Sequence, residues 1–467
     1  MKTVIGLLVG NRGFFPNHLV EEGRKDILGV LEANGCEVIT LSPEETNLGA
    51  VVTLQDAKKC ADLFKKNRER IDGIIVTLPN FGEESGIADA LKLANLDIPI
   101  LIQATPDDPG KMSAADRRDS FCGKISTCNN LMQYNIAYSL TEKHTVDVNS
   151  EDFVKELEKF KGVCRVVKGI RNARIGAIGA RPAAFNTCRY SEKILADYGV
   201  NVETIDLSEI FGQIEKLKDS ESKVQEKLKS LTDYIPAENV PGKNLVKMAK
   251  LGVVFDNFIT ENELDATAVQ CWTSMEEYFG IVPCTVMSML SNSLKPSACE
   301  VDVTGALSMY ALQLASETPS ALLDWNNNFG DDPNKCILFH CSNLPKHFFK
   351  EFEMKYQAII AGSVGKDNTF GTVEGPVRPH PMTFARFSTY DTGGKLLSFI
   401  GEGNFTDDKI DSFGGLGAAE IPDLQTLLRF ICTHGFEHHV AVNLSSVADI
   451  LDEAFVTYLG IDTYYHC

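Results

Sequence analysis

Side chains able to bind a cation or move a proton gather late in the chain, each at the end of an apolar stretch. In Lys295-Pro-Ser-Ala-Cys-Glu-Val-Asp302 the run ends on Glu300 and Asp302, which by strand alternation are expected to face one side. Asp324 follows Ala321-Leu-Leu and opens an asparagine-rich segment, and His340 ends the run Cys336-Ile-Leu-Phe. A fourth element, Gly435-Phe-Glu-His-His-Val-Ala-Val442, carries His438 and His439. Carboxylate oxygens with neutral imidazole suit Mn²⁺, Mg²⁺ or Co²⁺ better than softer ions. Each residue has a plainer reading: Asp324 as a turn or helix-cap residue, His340 as a hydrogen-bonded core histidine. His438 and His439 are adjacent, so in extended chain they point oppositely and at most one reaches a given ion. The coincidence of all four elements points to a metal site.

Other chemistries find little support. Gly6-Leu-Leu-Val-Gly10 and Gly176-Ala-Ile-Gly179 lack the spacing of phosphate-binding glycine loops, and helix packing on a strand explains them better. No G-x-S-x-G elbow supports a serine nucleophile. The formal charge of −19 argues against nucleic acid as a partner, because phosphate-backbone binders need basic surfaces. No run reaches the ~18 apolar residues of a membrane span. The 13 cysteines include no C-x-x-C pair and sit mostly in apolar runs, which reads as reduced thiols in a cytoplasmic protein.

These candidates must be positioned by a scaffold. Over 467 residues, 44% hydrophobic and 23% charged, two or three globular domains are expected. Apolar strand-length runs at 3–10, 37–41, 73–78 and 97–102 alternate with helical patterns at 17–34, 53–70 and 84–94, predicting an open parallel sheet covered on both faces. A second series starts at Ala173-Arg-Ile-Gly-Ala-Ile-Gly179, continues at 201–206 and resumes with a strand-like run at 251–255; the charged stretch 216–229 reads as one solvated helix face. Strand C-terminal ends in such sheets face the ligand crevice. Past about residue 330, glycine turns separate short β-branched and aromatic runs, which fits antiparallel strands, and helical patterns at 423–434 and 445–459 close the chain. The expected division is 1–165, 166–330 and 331–467.

The same segments resemble the L-fucose isomerase and L-arabinose isomerase superfamily of metal-dependent aldose–ketose isomerases. The likeness covers most of the chain and is strongest over 269–344 and 436–448. It implies two Rossmann-like α/β domains with parallel sheets, then a C-terminal domain with an antiparallel β-barrel. It places the metal ligands on Glu300, Asp324 and His439, with His340 added as in the arabinose branch. Substrate contacts fall on Arg12 in Val9-Gly-Asn-Arg12 and on Phe81 in Leu78-Pro-Asn-Phe81, where the fucose branch has a tryptophan. Further contacts fall on Gln270 and Trp272 and on Ser342 and Asn343. The resemblance also implies a homo-oligomer, a trimer or hexamer, in which a neighbouring subunit's first domain completes each site.

The expected activity is aldose–ketose isomerisation of an open-chain sugar of the L-fucose, D-arabinose or L-arabinose type through a cis-enediolate. A divalent ion, Mn²⁺ foremost, assists, Glu300 and Asp324 exchange the protons, and no nicotinamide or flavin is required. One alternative is a sulfonated hexose such as sulfoquinovose, whose sulfonate Arg12, with Arg378 and Arg386 nearby, would meet. The other is a non-catalytic sugar-binding protein.

Overall fold

The computed structural model describes residues 2–467, which divide into two compact units, 2–168 with 453–460 and 169–452 with 461–467. The first unit is a five-stranded parallel sheet built from β1 (Val4–Val9), β2 (Glu37–Thr40), β3 (Gly73–Leu78), β4 (Ile100–Ala104) and β5 (Ser139–Leu140), in the order β2-β1-β3-β4-β5. All six residues of β1 and of β3 are buried, which is why these runs are continuously apolar. Alternate β1 residues feed opposite faces: Val4 and Leu8 join one apolar cluster, and Ile5, Leu7 and Val9 the other. Helix Glu84–Ala94 forms over the expected span, and Leu54–Lys66 starts at a capping box between Thr53 and Asp56.

The second unit opens with a four-stranded parallel sheet of β6 (Arg174–Ile178), β7 (Asn201–Ile205), β8 (Ala266–Val269) and β9 (Ser297–Cys299), ordered β7-β6-β8-β9. Two expectations fail here. The apolar run 251–255 lies inside the helix Gly242–Glu261, buried on nearly every side, and the strand comes later, as β8. A short apolar run cannot by itself distinguish a buried helix from a buried strand. The charged stretch 216–229 is likewise not one helix, because Leu207–Lys216 ends and Ser222–Tyr234 begins within it.

A nine-stranded sheet completes this unit: β10 (Ser320–Asn328), β11 (Lys335–His340), β12 (Glu353–Tyr356), β13 (Phe370–Pro376), β14 (His380–Tyr390), β15 (Lys395–Phe405), β16 (Gly415–Glu420), β17 (His439–Asn443) and β18 (Asp462–His466). Its order is β12-β13-β16-β11-β10-β17-β14-β15-β18, and β15 pairs in addition with β16 through Asn404↔Glu420 and Phe405↔Ala419. The sheet is mixed, since β13 with β16 and β15 with β18 run parallel against the antiparallel expectation. Among the described residues, no helix is long and apolar enough to cross a membrane.

Candidate active site

Strand register brings two of the four acidic or imidazole elements together. In the antiparallel pairing of β10 with β17, Asp324 stands directly opposite His439. Asp324 lies within β10 rather than at a strand end, with a bulge following between Trp325 and Asn327. Glu300 arrives from the parallel sheet, on the turn after β9, and is buried. Asp302 does not share a strand with it as alternation predicted. It caps the helix Val303–Ser316, accepting from the Gly305 N–H at 2.8 Å. Gly305 has to be glycine, since a Cβ there would lie 2.5 Å from the Asp302 Oδ2.

His439 is the hub. Its Nδ1–H donates to Asp302 Oδ2 at 2.7 Å, which turns Nε2 toward Glu300 Oε2 at 3.0 Å and Asp324 Oδ1 at 3.4 Å. Both of those oxygens are buried and neither makes a well-aimed hydrogen bond, although the imidazole edge is near. The other Glu300 oxygen is occupied, accepting from Trp272 Nε1–H at 2.8 Å. Two sets of donor atoms lie within 4.8 Å of one another, Cys188 with Glu300 and His439, and Asp324 with His438 and His439. Orphaned carboxylate oxygens converging with an imidazole whose far nitrogen is held by a carboxylate are the donor set a divalent cation takes. The residues fit such an ion.

Charge is organised around that imidazole. Burial opposes ionisation of Asp302, but the Arg386 guanidinium and His439 hold its carboxyl far below the usual range. Burial likewise opposes the Glu300 charge, yet the close His439 imidazole, then the charge of His340 and the Trp272 N–H, keep it below its ordinary value. For His439, burial works against protonation, while Asp302, Cys188 and Glu300 raise its pKa well above the ordinary value.

The sequence reading missed what lies behind Asp302. Arg386, fully buried, donates to Asp302 through Nη1 at 2.6 Å and Nη2 at 3.0 Å, to Thr304 Oγ1 at 2.9 Å, and from Nε to Glu437 Oε2 at 3.1 Å. Glu437 in turn accepts from Ser388 Oγ at 2.9 Å. A guanidinium so enclosed cannot receive a substrate sulfonate, which corrects that expectation for Arg386, and Arg378 is turned onto His347 Nε2 at 3.0 Å. The signal was an arginine in the apolar run Met382-Thr-Phe-Ala-Arg-Phe387, a buried charge that had to have acidic partners.

The remaining candidates distribute as follows. His340 is buried at the end of β11, its ring centroid 6.0 Å from that of His439; its Nδ1 accepts the Cys341 N–H at 2.9 Å, and it joins neither donor set. His438 is half exposed, with Nε2 3.7 Å from Asp324 Oδ1. Gln270 accepts the Ala180 N–H at 2.8 Å. Ser342 and Asn343 are buried, Asn343 donating to the Ser297 carbonyl at 3.0 Å. In the first unit, the adjacency of β1 and β3 puts the Arg12 guanidinium 3.9 Å over the Phe81 ring, in ion pairs with Glu83 and Glu84.

Residues 6–171 match the family model of the fucose/sulfoquinovose isomerase N-terminal domain, and residues 338–466 that of the L-fucose isomerase C-terminal domain. A sulfoquinovose isomerase of Priestia aryabhattai is 23% identical over 342 residues, 73% of this chain and 72% of that protein. One from Alkalicoccus urumqiensis is 23% identical over 376 residues, covering 79% and 81%. A third, from Clostridium sp. (strain MSTE9), is 28% identical over 166 residues, 34% of this chain and 36% of its own. The chain is therefore an enzyme of the sugar ketol-isomerase class. Within that class it belongs to the fucose isomerase superfamily, which excludes the non-catalytic sugar-binding reading.

Proposed function

We propose that this chain interconverts the aldose and ketose forms of a sulfonated hexose of the sulfoquinovose type, with Mn²⁺ or a similar divalent ion held by Glu300, Asp324 and His439. The observation that carries the chemistry is the convergence of two orphaned carboxylate oxygens on His439 Nε2. Two relatives matched over most of their length are sulfoquinovose isomerases, which supports the substrate. The match of residues 338–466 to the L-fucose isomerase domain supports the second reading, a neutral aldose such as L-fucose or D-arabinose.

A bound divalent ion would polarise the sugar carbonyl and stabilise the negative charge that develops on the first two oxygens. The chain's own part is proton transfer and orientation. Trp272 fixes one Glu300 oxygen and leaves the other aimed at the site, positioned to take a proton from one of the first two carbons and return it to the other. Asp324, on the facing strand, exchanges the proton between the oxygens. Asp302 holds the His439 ring so that Nε2 faces both carboxylates.

The same reading includes a homo-oligomer in which Arg12 and Phe81 serve a neighbour's site, and a division near residues 165 and 330, supported by family matches that end at 171 and begin at 338. The expected barrel is read in β10, β11 and β14 to β17, supported by the extra β15 to β16 pairing.

The test is turnover on sulfoquinovose, L-fucose, D-arabinose and L-arabinose before and after chelation. Activity should vanish with chelator and return with Mn²⁺, and Glu300→Gln should abolish solvent deuterium exchange into the sugar at its first or second carbon. Full turnover by metal-free protein, or exchange persisting in that variant, would discard the assignment.

A further inference from the structure

The segment from Gly179 to Ser191, GARPAAFNTCRYS, leaves the C-terminal end of β6 and carries two arginines with no acidic residue, in a chain of net charge −19. Strand ends of this kind face the ligand crevice. The segment is fastened to the site at both ends. At its start the Ala180 N–H donates to Gln270 Oε1 at 2.8 Å. Toward its end Cys188 Sγ lies 3.6 Å from His439 Nδ1. Between them the Phe185 ring stands edge-on to Trp272 at 5.3 Å and to His438 at 5.6 Å, and Trp272 is the residue that holds Glu300.

Arg181 sits in this arm, half buried. Its Nη1 donates to the Pro182 carbonyl at 2.9 Å and more weakly to that of Ala183 at 3.5 Å, which braces the guanidinium against the arm's own turn. Arg189 is exposed and donates from Nη2 to Asn186 Oδ1 at 2.9 Å. Neither is paired with a carboxylate among the described residues. Elsewhere around the site the arginines are spent, Arg386 on Asp302 and Glu437. A braced guanidinium with its Nε and Nη2 donors unassigned is suited to bidentate recognition of a tetrahedral oxyanion.

We infer that the 179–191 arm is an anion-reading device in which Arg181, seconded by Arg189, receives the charged terminal group of the sugar while the Glu300, Asp324 and His439 cluster handles its first two carbons. The inference rests on the sulfonated-substrate reading and names the residue that would enforce it. Sulfonate and phosphate esters share the chemistry, so both are probed.

Steady-state kinetics of the Mn²⁺-loaded full chain would compare sulfoquinovose, the corresponding hexose 6-phosphate and the hexose bearing a plain hydroxyl there. Arg181→Gln should lower kcat/KM for the sulfonated sugar at least tenfold more than for the neutral one, mainly through KM, with Arg181→Lys recovering part of the difference. A fall of equal size on charged and neutral sugars would mean that Arg181 only shapes the arm, and no fall at all would remove it from recognition; either overturns the inference. A larger loss on the phosphate than on the sulfonate would keep the arm but change its ligand. If the unaltered enzyme turns over only neutral sugars, the substrate reading fails. The arm is then judged by competitive inhibition with methanesulfonate: weaker inhibition of Arg181→Gln upholds it, and equal inhibition of both proteins overturns it.

Discussion

Glu300 and Val301 adopt φ of 62° and 55°, left-handed conformations that side chains with a Cβ rarely take and that cost on the order of 1–3 kcal/mol each. They end β9 abruptly, so that Glu300 turns toward His439 while Asp302, two residues on, drops beneath the same ring to cap the next helix. One short segment thus supplies both a carboxylate set against His439 Nε2 and the carboxylate that holds the same imidazole through Nδ1. The sequence revealed the two acids but not this split, because strand alternation was the simplest rule for residues two apart, and a left-handed pair overrides it. Asp302→Asn keeps an oxygen for the His439 Nδ1–H and removes the charge shared with Arg386. Metal affinity should fall about 10- to 100-fold, the usual cost of losing a supporting partner behind a ligand. Titration of Mn²⁺ followed by calorimetry checks this, and an unchanged dissociation constant would show that Asp302 serves the fold alone.

Elements whose apolar pattern is long and clear, such as β3 and the helix Glu84–Ala94, form over the spans their residues indicate. The β10 to β17 pairing that sets Asp324 opposite His439 was not legible, since the strands lie more than a hundred residues apart and nothing local encodes their partnership. The π-helical turn Met275–Phe279 is a further case. It buries Glu276 fully with both carboxylate oxygens unpartnered, and that burial pushes its pKa up to about 8. The folded state then holds a proton that the unfolded chain releases above pH of about 4.5, so stability declines as pH rises through that window and levels off past about 8. Glu276→Gln removes the effect. Its stability relative to the unaltered protein should be near equal at pH 5 and grow toward pH 8, by at most about 1.4 kcal/mol per pH unit. Urea unfolding at several pH values measures it, and a difference that does not vary with pH would refute the assignment of a neutral carboxyl.

At the scale of the molecule, the ligand candidates all belong to one unit. Glu300, Asp324 and His439 lie within 169–452, and so do Asp302 and Arg386 behind them, whereas β1 to β5 form a separate body with its own two apolar clusters. Binding stabilises only what must be folded to bind, by about 2.7 kcal/mol when free ligand is 100 times its dissociation constant. Addition of Mn²⁺ to chelated protein should therefore slow amide hydrogen exchange across β9, β10, β17 and the helix Val303–Ser316, the elements that must hold their register for the three donors to meet. Amides of β1, β3 and β4 should exchange at unchanged rates, because none of the proposed ligands lies in that sheet. The unit that gains protection is also the one that the family matches leave partly uncovered, between residues 171 and 338, where Glu300 and Asp324 lie. Exchange mapping by mass spectrometry resolves the two units peptide by peptide. Equal protection of both sheets, or none at β9 and β17, would place the ion somewhere other than on these three residues.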